Sequence, residues 1–87
     1  MTVAERLKEN EYEEEYVVFS NPSYDDAAIG VSSDGRVVYD FQLMVRYLIE
    51  KENMTEEDAI EYIEYNTLRS LGYVGNNSPI VLYPFLI

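Results

Sequence analysis

The residues best placed to do chemistry lie in one stretch, Glu56-Glu57-Asp58-Ala59-Ile60-Glu61-Tyr62-Ile63-Glu64-Tyr65-Asn66-Thr67-Leu68-Arg69. Glu57, Glu61 and Glu64 recur at i, i+4 and i+7, so on a helix they form one row with neighbouring Cβ atoms about 5–6 Å apart. A row of carboxylates at that spacing can imitate the phosphates of a nucleic-acid strand. Tyr62, Tyr65 and Arg69 make a second stripe at i, i+3 and i+7, with Asn66 and Thr67 adding amide and hydroxyl groups. Tyrosine carries an apolar ring and a polar tip, and tyrosines interleaved with acids suit a protein-binding patch. The same pattern also fits a solvated helix face whose tyrosines close over a small core.

Other reactive constellations fall short. Asp25, Asp26 and Asp34 are hard oxygen ligands, but Ala27 and Arg36 stand where a calcium-binding loop starting at Asp25 needs an oxygen and a bidentate Glu. The chain has no His and no Cys, which removes thiolate and imidazole metal sites and the common nucleophile–base systems. Paired carboxylates could act on a glycoside, yet so short a chain has little room for a sugar-holding cleft beside its core. No catalytic residue, metal or cofactor is expected, and the chain is read as a non-enzyme.

Charge points the same way. Among 87 residues, 17 are acidic and 6 basic, for a net charge of -11. Such a field repels phosphates and anionic lipid and draws basic surfaces by salt-sensitive steering. The expected partner is a protein with a basic surface, with no direct nucleic acid and no membrane; a homodimer through a strand edge or the tyrosine patch is the alternative. No apolar run reaches the length of a membrane span and the first residues do not read as a signal peptide, so the expected location is cytoplasmic.

The elements that must position these residues are legible from local signals. Residues 2 to about 10 read as a short helix with Thr2 and Glu5 in a capping box. Five Glu between positions 9 and 15 predict a frayed or solvated stretch. Tyr16-Val17-Val18-Phe19 is a short apolar run that suits a strand or a helix end. Ser20 to Ser23 is turn chemistry. Asp34-Gly35 between two strand-like runs predicts a hairpin with a two-residue type I′ turn. That register pairs Val31 with Val38 and Gly30 with Tyr39, and places Ile29, Val31 and Val38 in the core. Asp40 caps a helix with an apolar stripe Phe41, Met44, Val45, Leu48 and Ile49. Thr55 caps a second, running to about Leu71 with Ala59, Ile60, Ile63, Thr67 and Leu71 inward and Gly72 as its stop. Pro79 to Pro84 reads as an edge strand, with Ile80 in the core. The expected fold is α+β: a small three-stranded antiparallel sheet packed against a helical hairpin, with a short N-terminal helix. Residues 1–87 form one domain, of which 1–23 are an N-terminal arm.

Three segments carry a resemblance: Asp34-Gly35-Arg36-Val37-Val38-Tyr39-Asp40-Phe41, Met54-Thr55-Glu56-Glu57-Asp58-Ala59, and Tyr62 to Leu71 with its Tyr65-Asn66-Thr67-Leu68-Arg69 element. Together with Pro79-Ile80 they resemble a family of short, uncharacterised acidic proteins of Gram-positive bacteria and their phages, over about residues 24 to 84. The chain departs from that pattern at Gly72, where the family often has Pro, and at Tyr62, where it often has Trp. No activity is assigned to the family. The resemblance implies a mobile-element setting, in which small acidic inhibitors of nucleic-acid-handling host proteins recur, anti-CRISPR proteins and DNA mimics among them.

Overall fold

The computed structural model describes residues 1–73 and 75–85. Helix α1 (Val3–Glu9) begins at the expected capping box: the Thr2 hydroxyl accepts from the Glu5 N–H at 3.2 Å, and the Glu5 carboxylate accepts from the Thr2 N–H at 2.8 Å. The Thr2 N–H, foremost, holds the Glu5 carboxyl below its ordinary pKa. A helix of 7 residues has little stability alone, so its tertiary anchors matter. Val3 is buried, its N–H donates to Asp25 Oδ1 at 2.9 Å, and Arg6 Nη1 donates to the carbonyls of Asp25 at 3.1 Å and Ala28 at 2.7 Å. Glu11 to Glu15 follow as exposed, non-helical chain. Tyr16 to Phe19 form neither strand nor helix; Tyr16, Val18 and Phe19 pack half-buried against the core.

After a 3-10 turn (Asp25–Ala27), strands β1 (Ala28–Val31) and β2 (Val37–Asp40) form the expected hairpin, with a corrected register. Val31 faces Val37 and Gly30 faces Val38, one residue away from the type I′ pairing. Ser32 N–H donates to the Arg36 carbonyl at 2.7 Å and Gly35 N–H to the Ser32 carbonyl at 3.0 Å, so the loop holds three residues, Ser33, Asp34 and Gly35. Gly35 alone among them takes a positive φ, 81°, as in a type I turn closed by a left-handed glycine. The Ser32 hydroxyl steadies this loop by donating to Asp34 and accepting from the Arg36 N–H. A shift of one residue exchanges the faces of a strand. Val37 and Tyr39 therefore enter the core, whereas Val31 and Val38 are half-buried and Ile29, at a β-bulge, is 49% exposed.

Helix α2 (Phe41–Glu52) starts at Asp40, whose carboxylate accepts from the Leu43 N–H at 3.0 Å. Phe41, Met44, Val45 and Leu48 are buried as expected; Ile49 lies at the exposed margin of the stripe. Asn53, left-handed at φ 56°, ends α2. The return path is α3 (Glu56–Tyr62), a π-helical turn (Ile63–Thr67), α4 (Leu68–Ser70) and a 3-10 turn (Leu71–Tyr73). Helical backbone thus runs through Gly72 and does not stop there. Ala59, Ile63 and Thr67 are buried, while Ile60, Leu71 and Ile80 are half-buried.

Strand β3 (Ile80–Leu82) is an edge, as its flanking prolines predict, in a sheet ordered β1-β2-β3. It runs parallel to β2, with Val38 beside Ile80 and Asp40 beside Leu82, so the sheet is mixed, not all antiparallel. The helices between Asp40 and Ile80 supply the long crossover that a parallel pair requires. Arg36, just before β2, fixes the return: its Nε donates to the Ser78 carbonyl at 2.7 Å and its Nη2 to the Ser78 hydroxyl at 3.3 Å. The α+β class and the packing of the helical hairpin on the sheet stand as read.

A candidate protein-binding surface along the third helix

The exposed face of α3 is set by what its other face must bury. Thr55 caps the helix, its hydroxyl accepting from the Asp58 N–H at 3.1 Å, and Glu56, Glu57 and Asp58 in the first turn oppose the positive end of the helix dipole. Ala59, Ile63 and Thr67, at i, i+4 and i+8, are the inward positions that helical spacing predicts. In the structure Thr67 is buried and Asn66 exposed. A π turn lies here: the Leu68 N–H bonds back to the Ile63 carbonyl, one residue further than in an α-helix.

Thr67 has a buried partner. Its hydroxyl and the Tyr24 hydroxyl are 2.7 Å apart and buried, and a lone hydroxyl there would cost the free energy of an unmade hydrogen bond. Tyr24 is fully buried, with Phe19 edge-on at 5.5 Å and Tyr47 tilted at 5.6 Å between ring centroids. Burial pushes its phenol up to about 12, against the opposing pull of the Thr67 bond.

On the outer side Glu57, Glu61 and Glu64 are all exposed. Tyr62 is half-buried and Tyr65 is 58% exposed, and the guanidinium carbon of Arg69 lies 5.4 Å from the centre of the Tyr65 ring. A hollow of about 430 Å³ opens here, lined by Met54, Asp58, Glu61, Tyr62, Tyr65 and Asn66. Of the residues singled out in the sequence, Glu61, Tyr62 and Tyr65 come together in it. Arg69 adjoins it through the Tyr65 ring, while Glu57 and Glu64 lie outside its lining. Met54 and Asp58 complete it; Asp58 was legible only as a capping residue, although its i, i+4 relation to Tyr62 was a usable signal. Tyr62 and Asn66 also line a second hollow of about 300 Å³, against Phe19, Pro22 and Tyr24.

A further acidic concavity, of about 670 Å³, lies between the arm and the hairpin loop, where Glu11, Glu13, Glu14 and Asp34 surround Tyr12 and Tyr16. The Asp34 carboxyl is held below its usual range by the Ser32 hydroxyl and, less strongly, by Arg36, 3.8 Å away. Asp25 spends its carboxylate on the Val3 N–H and the Ser23 hydroxyl. Among the described residues, no three His, Cys, Asp or Glu side chains are grouped to hold a metal ion, and no helix is long and apolar enough to cross a membrane. No protein-family model, curated protein or solved structure matches the chain.

Proposed function

We propose that this chain is a small acidic protein-binding module that inhibits a basic, nucleic-acid-handling protein by occupying its nucleic-acid channel, in the manner of an anti-CRISPR protein or DNA mimic. The observation that carries the reading is the exposed row Glu57, Glu61 and Glu64, held outward because Ala59, Ile63 and Thr67 are committed to the core. A net charge of -11 adds long-range attraction toward a basic channel. The phage or mobile-element setting rests on the resemblance of the Asp34–Leu71 segments alone. Inhibition would be competitive and would involve no catalytic step.

The test replaces Glu57, Glu61 and Glu64 together by Gln, which removes three charges and keeps size and helix propensity. Wild type and variant serve as bait in host lysate, and the captured protein is then assayed for release by added DNA. The expected outcome is a DNA-binding protein that DNA displaces, whose affinity falls with salt and with the triple substitution. A partner that binds the triple variant as tightly as wild type at low salt refutes the reading.

One observation favours a second reading, an adaptor that pairs with itself. β1 and β3 are the outer strands of the three, with Ile29 on β1 and Leu82 on β3 exposed, and edge strands can template strand pairing. Sedimentation equilibrium decides it: a dimer that Ile29→Lys or Leu82→Lys dissociates supports the adaptor, and a monomer at all concentrations excludes it.

A further inference from the structure

We infer that the hollow bounded by Asp58, Glu61, Tyr62 and Tyr65 is a receptor for an arginine side chain presented by the protein partner. The inference rests on the proposal that the partner is basic, and names the group that is gripped. A guanidinium is best held by an aromatic face, carboxylates at its edge and an apolar bed for its stem. The hollow has all three. Tyr62 and Tyr65 supply rings, and Asp58 and Glu61, at i and i+3 on α3, supply carboxylates on neighbouring positions. The half-buried Met54 thioether offers a polarizable surface for the stem.

An independent observation shows that one of these rings takes a guanidinium. Arg69 already stands over Tyr65 at 5.4 Å, inside the limit of about 6 Å for a cation–π contact. Arg69 comes from the turn after Tyr65, however, whereas the carboxylates of the hollow belong to the turns before it. Among the described residues Arg69 forms no ion pair, so the internal contact has the ring without the acids. A guanidinium entering the hollow meets both. Arginine is favoured over lysine because a planar fork can bridge two carboxylates and stack on a ring, while an ammonium is a compact, strongly hydrated point charge.

The experiment titrates the full-length, ¹⁵N-labelled chain with acetyl-Gly-Arg-Gly-amide and with the corresponding lysine and citrulline peptides, read by amide chemical shifts. Saturable shifts are expected at Met54, Asp58, Glu61, Tyr62, Tyr65 and Asn66. The lysine peptide should bind roughly two- to fivefold more weakly, the range an exposed cation–π contact supplies, and citrulline should not bind. Tyr65→Leu should abolish the preference for arginine, and Asp58→Asn with Glu61→Gln should abolish binding. Glu57→Gln with Glu64→Gln removes the same charge outside the hollow and should leave affinity within about twofold. Shifts centred on Glu11–Glu15, equal binding of arginine and lysine by wild type, or equal losses in the two double variants would overturn the receptor. If the peptide ignores the hollow but the Glu57/Glu64 variant weakens the captured partner, the receptor falls and the acidic-row reading stands. If the peptide fills the hollow and that variant leaves the partner's affinity unchanged, the receptor stands and the row falls.

Discussion

Tyr24 and Tyr39 point into the molecule, Tyr62 and Tyr65 toward its surface, and the same side chain does different work in the two places. The inner pair are fully buried, so each hydroxyl needs a partner: Thr67 for Tyr24, and the Phe19 N–H, 3.1 Å away, for Tyr39. Each bond ties together segments far apart in the chain, the arm to the sheet and the arm's end to the helical return. The outer pair line hollows: Tyr62 is half-buried, and Tyr65 is exposed with Arg69 over its ring. A tyrosine inside this protein is a structural cross-link; one at its surface is not tied down in that way.

The largest effect that could break this contrast is removal of an inner ring. Tyr39→Ala deletes a buried aromatic on the central strand and should cost about 3–5 kcal/mol in denaturant unfolding, enough to threaten a domain of this size. Alkali probes both inner rings at once. Burial raises the Tyr24 and Tyr39 phenols above the ordinary value of about 10, so the folded chain holds these protons more tightly than the unfolded one. Their contribution is complete below pH about 10 and is lost as pH rises toward the folded values; melting temperature followed from pH 9 to 12 should fall across that window (about 10 upward).

Tyr24→Phe sharpens the contrast. It keeps the ring, orphans the Thr67 hydroxyl and should cost about 1 kcal/mol, while making the alkaline decline shallower. The smallest effect belongs to the outer surface: Tyr65→Ala should change stability by no more than about 0.5 kcal/mol. If thermal unfolding instead gave Tyr65→Ala a cost like that of Tyr39→Ala, the outer tyrosines would be core residues and the binding surface would lie elsewhere.

Much of this architecture was legible locally. Thr2, Asp40 and Thr55 announce three helix starts through side chains that bond their own backbone, and the α2 stripe needs only a period. The hairpin register was not legible in the same way. Val37, Val38 and Tyr39 are consecutive and all apolar, so alternation does not choose a face; the choice falls to Gly35 as a single left-handed residue in a three-residue loop. The direction of β3 goes with the long helical crossover and with contacts such as Arg36 to Ser78, 42 residues away, which no local pattern contains. At the candidate surface the spacing of Glu61, Tyr62 and Tyr65 was readable: the first two precede the π turn and Tyr65 lies within it. Thr67 was readable as an inward position, but its hydrogen-bond partner Tyr24, 43 residues away, was not.

That turn also bears on how homologous chains should be compared. Between Ile63 and Leu68 the helix carries one residue more than an α-helical path would need, so a homologue one residue shorter here could keep the same inner face on both sides of a continuous helix. In an alignment the difference would be a single-residue gap inside a helix, a place where gaps are normally penalised as errors. Here such a gap would be the trace of a structural choice: one residue between Ile63 and Leu68 would be lost, while the faces before and after the turn stayed as they are.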